Sequence, residues 1–234
     1  SVAYVRDGNG NATQVTSTEY NQRLAAPENF VVSYAFDALN RMTTMTEDPG
    51  GLGQVTTSKY SSIGALVSVL DAENRTTKIV TDGLGRVTQK TYDFGGSSAT
   101  TISQAWNGNS RLTSQTDDNG HATGYEYTNR DQVKTITYGD LTTKLMTYDK
   151  DDNLKTVTDE VTTVVTNTYD DRDVLTQRDI SRGTGVVGTT QEIYTFDGAN
   201  RMTSAQNKDG AVPISLVSMF YDTLSNVDKV EETY

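Results

Sequence analysis

The 234-residue chain has no cysteine, three prolines and a single histidine. Without cysteine it forms no disulfide and offers neither a thiolate nucleophile nor a zinc-thiolate site. The lone histidine, His121, has no second histidine or cysteine with which to build a catalytic triad or a zinc site. No run of eighteen apolar residues occurs, so the sequence predicts no transmembrane helix.

Hydrophobic residues make up only 34% of the sequence, and the formal net charge is −11. A share this low is unusual for a thick globular core and indicates a heavily solvated fold. The acidic balance disfavours binding to nucleic acid or to anionic membrane surfaces. Thirteen tyrosines and an abundance of Thr and Val argue against disorder, because these residues suit half-buried β-strands.

One phrase occurs twice with little change, as "YAFDALNRMT" from Tyr34 and as "YTFDGANRMT" from Tyr194. We define the anchor of each repeat as the residue before the Asp of this phrase. Nine anchors can be aligned: Phe36, Tyr60, Thr81, Trp106, Tyr127, Tyr148, Tyr169, Phe196 and Tyr221. Their spacings are 24, 21, 25, 21, 21, 21, 27 and 25 residues, which is typical of a tandem repeat array.

Two further columns support this alignment. Four positions after the anchors stand small or Asx-type residues, namely Asn40, Gly64, Gly85, Ser110, Asp131, Asp152, Asp173, Asn200 and Ser225. Six positions after the anchors stand aliphatic residues, namely Met42, Leu66, Val87, Leu112, Val133, Leu154, Leu175, Met202 and Val227. The first column predicts turns with a left-handed residue, and the second predicts the apolar core of the repeats.

Each repeat therefore predicts a β-hairpin. The anchor ends one strand, and an aspartate opens the turn, as at Asp37, Asp149, Asp170 and Asp197. We expect positive φ at Asn40, Gly85, Asp152 and Asn200, and the nine aliphatic residues on one face of the sheet. The predicted fold class is all-β, an antiparallel array of tandem hairpins without helices.

The predicted domain organisation is an atypical first repeat or N-terminal cap over residues 1–30 and about nine repeats over 31–234. Gly-rich insertions such as "EDPGGLGQ" and "SRGTGVVGTT" are predicted to be loops on one rim of the sheet.

The segments "YAFDALNRMT", "YDKDDNLKTVTD" and "TDGLGRVTQKTYD" resemble the YD repeats of the Rhs family. That family includes bacterial polymorphic toxins, the B and C subunits of insecticidal toxin complexes, wall-associated proteins and teneurins. The resemblance covers about residues 30 to 230 and implies one long antiparallel sheet that curves or spirals. Nine repeats are too few for a closed shell, so we expect an open one. The resemblance also implies a secreted or cell-surface location in a bacterium.

One pattern resembles a calcium-binding loop. Asp149, Asp151, Asn153 and Glu160 occupy positions 1, 3, 5 and 12 of an EF-hand loop. Position 6 requires glycine but is Leu154, a residue of the aliphatic column, so a hairpin turn is favoured. The sequence predicts no catalytic residue, no cofactor and no metal site.

Three tyrosines stand two residues before their anchors: Tyr34, Tyr125 and Tyr194. Such a row packs neighbouring strands together, or it binds a glycan or a protein on an exposed face. The favoured function is a non-enzymatic structural module that builds a β-sheet wall, and the alternative is a binding module that uses the Tyr/Asp-rich face. We also expect homo-association through sheet edges or through flanking repeats of a longer parent.

Overall fold

The computed structural model describes residues 1–21, 26–182 and 188–234, and the side chain of residue 21 is not among the groups described. These ranges contain twenty β-strands and no helix. They divide into two compact units, Ser1–Gly120 and His121–Tyr234.

The first unit is an antiparallel meander in which every strand pairs with the next one along the chain. Its strands are β1 (Val2–Arg6), β2 (Ala12–Asn21), β3 (Ala26–Phe36), β4 (Met42–Glu47), β5 (Gln54–Tyr60), β6 (Leu66–Leu70), β7 (Thr76–Thr81), β8 (Val87–Tyr92), β9 (Thr100–Trp106) and β10 (Leu112–Thr116).

The second unit repeats this plan, again with antiparallel pairing between successive strands. Its strands are β11 (Ala122–Tyr127), β12 (Val133–Thr137), β13 (Thr143–Tyr148), β14 (Leu154–Thr158), β15 (Val164–Tyr169), β16 (Leu175–Ser181), β17 (Gln191–Phe196), β18 (Met202–Asp209), β19 (Val212–Tyr221) and β20 (Val227–Thr233).

The repeat boundaries coincide with the strand boundaries. Each of the nine anchors is the last residue of a strand, and each aliphatic residue six positions later is the first residue of the next. The two residues of such a pair lie opposite each other, as Phe36 and Met42 do at the end of β3 and the start of β4. The predicted all-β fold of tandem antiparallel hairpins is confirmed.

A β-bulge follows each of these pairs. In the first complete repeat, Phe36 faces Met42 while Ala35 faces Thr44, so Thr43 is the extra residue. The hydroxyl of Thr43 donates a hydrogen bond of 3.2 Å to the carbonyl oxygen of Ala35. Thr88 and Thr176 make the equivalent contact in their own repeats. In these three repeats the threonine of the bulge therefore satisfies a neighbouring carbonyl.

The two faces of the strands differ in exposure. All nine anchors are half-buried, and all nine residues immediately before them are exposed. Of the side chains that the structure describes, none is fully buried. Eight residues of the aliphatic column are half-buried, and Val227 is 55% exposed. The column therefore differs from a conventional sealed core, because a single antiparallel sheet leaves both faces partly accessible to water.

The N-terminal segment contains a hairpin with the same geometry. Arg6 faces Ala12 across a bulge, and Gly10 has a φ of 87°. The predicted cap over residues 1–30 thus begins with a turn built like those of the nine repeats. Residues 22–25 of that segment, and residues 183–187 of the predicted "SRGTGVVGTT" insertion, lie outside the described residues.

Candidate functional site

The turn that follows each anchor is organised by one side chain. In the repeat of Phe36, Oδ1 of Asp37 accepts the backbone N–H groups of Leu39 and Arg41 at 2.9 and 3.0 Å. Oδ2 accepts Nε of Arg41 at 2.7 Å and forms an ion pair with its Nη2 at 2.6 Å. We call this arrangement the turn clasp. It closes the loop through charge-assisted hydrogen bonds to a bidentate guanidinium.

The clasp recurs along both units. On the side of the strands where the anchors lie, aspartate accepts the two backbone N–H groups in seven turns of the described residues, at Asp7, Asp37, Asp82, Asp149, Asp170, Asp197 and Asp222. Asn107 and Thr128 accept the same two N–H groups in their turns, and Ser61 accepts one of them. A side-chain oxygen, and not specifically a carboxylate, is the common requirement.

The residue four positions after each anchor has positive φ in all nine repeats. The φ values include 60° at Asn40, 79° at Gly85, 71° at Asp152 and 63° at Asn200. The N–H of this residue donates to the carbonyl of the turn-opening residue, as from Asn40 to Asp37 at 3.0 Å. Small and Asx-type residues tolerate this conformation, which accounts for the composition of the column.

The clasp arginine also reaches the next repeat. Nη1 of Arg86 donates to the carbonyl oxygen of Asn107 at 2.9 Å and to the hydroxyl of Ser110 at 3.1 Å. Its guanidinium lies over the ring of Trp106, 5.8 Å from the ring centroid. Arg41 over Tyr60 and Arg201 over Tyr221 repeat this arrangement at 4.7 and 4.6 Å. One arginine therefore joins two consecutive turns and one anchor ring.

Aromatic anchors form a second link between repeats. Their polar atom donates to the backbone carbonyl of the aliphatic residue in the preceding repeat. The pairs are Tyr60 to Met42 at 2.8 Å, Trp106 to Val87 at 2.7 Å, Tyr148 to Val133 at 2.8 Å, Tyr169 to Leu154 at 2.9 Å and Tyr221 to Met202 at 2.7 Å. The preference for Tyr over Phe at the anchor thus has a physical cause, since the hydroxyl satisfies this carbonyl.

Other polar pairs connect turns in the second unit. Nη1 of Arg130 donates to Oδ1 of Asp152 at 2.7 Å, and Nδ2 of Asn153 donates to Oδ1 of Asp173 at 2.8 Å. In the following repeat Val174 takes the position of Asn153, and its side chain has no polar atom to form the same contact with the next turn. Across the adjoining strands, Arg178 of β16 forms an ion pair with Glu192 of β17 at 2.9 Å.

The clasp perturbs the acidity of its aspartates. The side-chain hydrogen bond from Arg41 is the main reason that the pKa of Asp37 lies below its ordinary value, and Arg86 has the same effect on the pKa of Asp82. The backbone N–H of Arg201, followed by its guanidinium, lowers the pKa of Asp197. The aspartates are therefore held as carboxylates that accept hydrogen bonds, and they are poor candidates for proton donors near neutral pH.

The three tyrosines that precede anchors lie on three separate strands, β3, β11 and β17. Each is half-buried and lies opposite a residue without a polar side chain: Tyr34 faces Met45, Tyr125 faces Ile136 and Tyr194 faces Ala205. The hydroxyl of Tyr194 donates to Oε2 of Glu192 at 2.7 Å. Burial, followed by this hydrogen bond, raises the pKa of Tyr194.

The first three residues of the calcium-like pattern form the turn. Oδ1 of Asp149 accepts the N–H groups of Asp151 and Asn153, and Oδ2 accepts Nδ2 of Asn153 at 3.3 Å. Within the described ranges no group of three or more His, Asp or Glu side chains is arranged to hold a metal ion. No helix long and apolar enough to cross a membrane is found in those ranges either.

The sequence alignment missed clasps on the opposite side of the strands. Asp71 accepts the N–H groups of Glu73 and Arg75 and the Nε of Arg75, and Asn74 has a φ of 60°. Asp159 accepts the N–H groups of Val161 and Thr163 in the same manner. The signal was present in "DAENR", which has the same Asp, Asn and Arg spacing as "DALNR" at Asp37. Both sides of the meander therefore use the same turn chemistry.

Comparison with known families identifies this repeat. The family model that matches residues 2–161, more than half of the chain, is described as the teneurin YD-shell. The chain belongs to the teneurin YD-shell family. The resemblance to Rhs/YD repeats is thereby confirmed, and the chain is a YD-shell module. No curated protein matches the sequence.

Solved structures show the same fold. The crystal structure of TcdB2–TccC3–TEV is 12% identical with a TM-score of 0.56, and the match covers 96% of this chain and 16% of that one. The structure of a Tc holotoxin pore of Photorhabdus luminescens, which carries a TccC3 mutation, has 12% sequence identity and a TM-score of 0.56. That match covers 97% of this chain and 16% of the other. The crystal structure of TcdB2–TccC3 without its hypervariable C-terminal region has 12% sequence identity and a TM-score of 0.55. That match covers 96% of this chain and 16% of the other. The YD-shell module thus spans 16% of the length of these chains.

Proposed function

We propose that this chain is a non-catalytic structural module that forms part of a β-sheet wall in a longer YD-shell protein. The observation that supports this proposal is the use of its reactive side chains. The aspartates, arginines and aromatic anchors of the repeats are engaged in turn clasps and in links between consecutive hairpins. Side chains that accept and donate within the wall stabilise it, and they are not presented as an acid–base pair to a substrate.

Substitution of a clasp arginine tests this function. Arg86→Gln removes the bidentate contact to Asp82 and the contacts to the next turn, so we expect a lower urea midpoint of unfolding. Lys59→Gln is the matched control, because Lys59 lies on the exposed face just before an anchor. Equal midpoints for the two variants, or a ligand whose binding needs Arg86 while stability is unchanged, would contradict a structural role.

A second candidate function is the binding of a glycan or a protein on the sheet face around Tyr194. Glu192 accepts both the hydroxyl of Tyr194 and Nη1 of Arg178, and Arg178 also contacts Asn167 at 3.3 Å. This half-buried polar group stands where other repeats place apolar pairs such as Met146 and Val157. A glycan array, with Tyr194→Phe as the control, tests the binding function. A glycan that binds the unsubstituted chain and not the variant would favour this function over a purely structural one.

Association with other chains or repeats is proposed for strand β1. Among the described strands β1 pairs only with β2, and Val2, Tyr4 and Val5 are each more than half exposed. An exposed strand edge of this kind accepts another strand. Because the protein is acidic, association between copies should strengthen with salt. Light scattering at high salt tests this idea, and deletion of residues 1–6 should abolish the larger species. A monomer under all conditions would leave only flanking repeats as partners.

We further propose that the parent protein acts outside the cell, secreted or on the surface of a bacterium. Membership of the YD-shell family supports this location. Fractionation of the source bacterium with an antibody to the module provides the test, and recovery only in the cytosol would argue against it.

A further inference from the structure

One turn opener differs from the aspartates in a way that has chemical consequences. Asn107 occupies the position of Asp37, Asp82 and Asp197, and like them it is followed four residues later by arginine, here Arg111. Its Oδ1 accepts the N–H groups of Asn109 and Arg111, both at 3.0 Å. Its second polar atom is Nδ2, an amide donor, at the position where the aspartates present an acceptor oxygen to the arginine.

The residue after Asn107 is Gly108, and no atom lies near the position that a Cβ would take there. An asparagine followed by glycine can lose its amide through attack of the glycine backbone nitrogen on the side-chain carbon Cγ. Glycine favours this attack because it has no side chain to hinder the approach and its backbone is the least restricted. Oδ1 gains negative charge as the tetrahedral intermediate forms.

The turn clasp places two N–H donors on that oxygen. The N–H groups of Asn109 and Arg111 already contact Oδ1, so they stabilise the developing charge as donors of an oxyanion hole do. Two other Asn–Gly pairs, at Asn9 and Asn119, provide an internal comparison. Each stands two residues after a turn-opening aspartate and donates its backbone N–H to that carboxylate. Neither side chain is the acceptor of its turn.

We propose that Asn107 is a site of spontaneous deamidation, and that its conversion to aspartate completes the clasp of this repeat. The nitrogen of Gly108 bonds to Cγ and ammonia leaves, giving a cyclic imide. One water then attacks Cγ and breaks its bond to the nitrogen of Gly108, which restores the normal peptide bond and leaves the side chain as a carboxylate. The net change is asparagine plus water to the carboxylate form of aspartate plus ammonium. The new Oδ2 stands where Asp82 accepts Nε of Arg86 at 2.7 Å, so it offers the same acceptor to Arg111.

Peptide mapping of the full chain by mass spectrometry tests the reaction. The folded protein is incubated at mildly alkaline pH beside a sample in concentrated urea, and aspartate and isoaspartate are quantified at all three Asn–Gly pairs. We expect Asn107 to convert at least about tenfold faster than Asn9 and Asn119 in the folded chain, because only its carbonyl receives two donors. This lead should disappear in urea. Equal or slower conversion at Asn107 in the folded chain, or a product that is only isoaspartate, would overturn the proposal.

Substitution tests the structural consequence independently. Asn107→Asp supplies the carboxylate directly and should raise Tm by about 2–4 °C, the shift that one added charge-assisted contact produces in a chain of this size. Asn119→Asp is the matched control, since it adds the same charge at a position that opens no turn, and it should leave Tm unchanged. If the Tm of the Asn107→Asp variant is equal to or lower than that of the unsubstituted chain, the new carboxylate does not complete the clasp.

Discussion

The hydroxyl of Tyr60 provides the sharpest test of how consecutive repeats are joined. Tyr60→Phe keeps the aromatic ring under the guanidinium of Arg41, whose centre lies 4.7 Å from the ring centroid. The substitution removes only the 2.8 Å hydrogen bond to the carbonyl oxygen of Met42. The effect of the variant therefore reports the link between two hairpins, separate from ring packing and cation–π attraction.

The magnitude follows from the environment of that carbonyl. A neutral hydrogen bond contributes about 0.5–1.5 kcal/mol net, and the loss is larger only if the remaining group is sealed from water. Met42 is half-buried, so water can reach part of the site after the hydroxyl is removed. We expect a loss of about 1 kcal/mol. With a urea dependence of about 1–3 kcal/mol per molar, the midpoint falls by roughly 0.3–1 M.

Fluorescence of the single tryptophan gives the assay. Trp106 lies in the same unit as Tyr60, so its emission during urea unfolding follows that unit directly. Tyr20→Phe is the control, because Tyr20 is 66% exposed and its loss of a hydroxyl should stay within about 0.5 kcal/mol. Coincident unfolding curves for the two variants would refute the inter-repeat hydrogen bond as a stabilising link.

Three further predictions concern the clasp, the turn and the aliphatic column. The pKa of Asp82 is lowered in the folded state. Its contribution to the free energy of unfolding is therefore complete above the unfolded pKa and is lost as the pH falls through the folded pKa. Asp82→Asn should therefore flatten the fall of the urea midpoint in acid, and an unchanged slope would contradict this. Asn200 has a φ of 63°, so Asn200→Val should lower the free energy of unfolding by about 1–2 kcal/mol, whereas Asn200→Gly should leave it nearly unchanged. Calorimetry measures both variants, and equal stabilities would show that this position imposes no backbone strain. Leu112→Ala should lower the free energy of unfolding by about 1–2 kcal/mol, measured by urea unfolding, because Leu112 is only half-buried. A fully buried leucine would lose about 2–5 kcal/mol. Leu84→Ala, at an exposed loop position, is the control, and equal losses in the two variants would show that the aliphatic column does not pack.

Much of the local structure could be predicted from the sequence because each hairpin is closed by its own residues. The aspartate, the residue with positive φ and the arginine of one turn lie within five consecutive positions, as from Asp37 to Arg41. Their spacing alone predicts the loop, and the loop fixes which strands are neighbours. A contact made within so short a segment does not depend on the rest of the fold.

The sequence by itself determined the all-β class, the nine hairpins and the family, since all three follow from a local pattern repeated along the chain. Only the tertiary structure decided what the repeated residues contact between hairpins. The hydroxyl of Tyr60 meets the carbonyl of Met42, 18 residues away, because the pairing of β4 with β5 brings the two strands side by side. The structure also decided that eight of the nine residues in the aliphatic column are half-buried and that Val227 is exposed. Burial depends on how many layers cover a sheet face, and no spacing along the chain encodes that number.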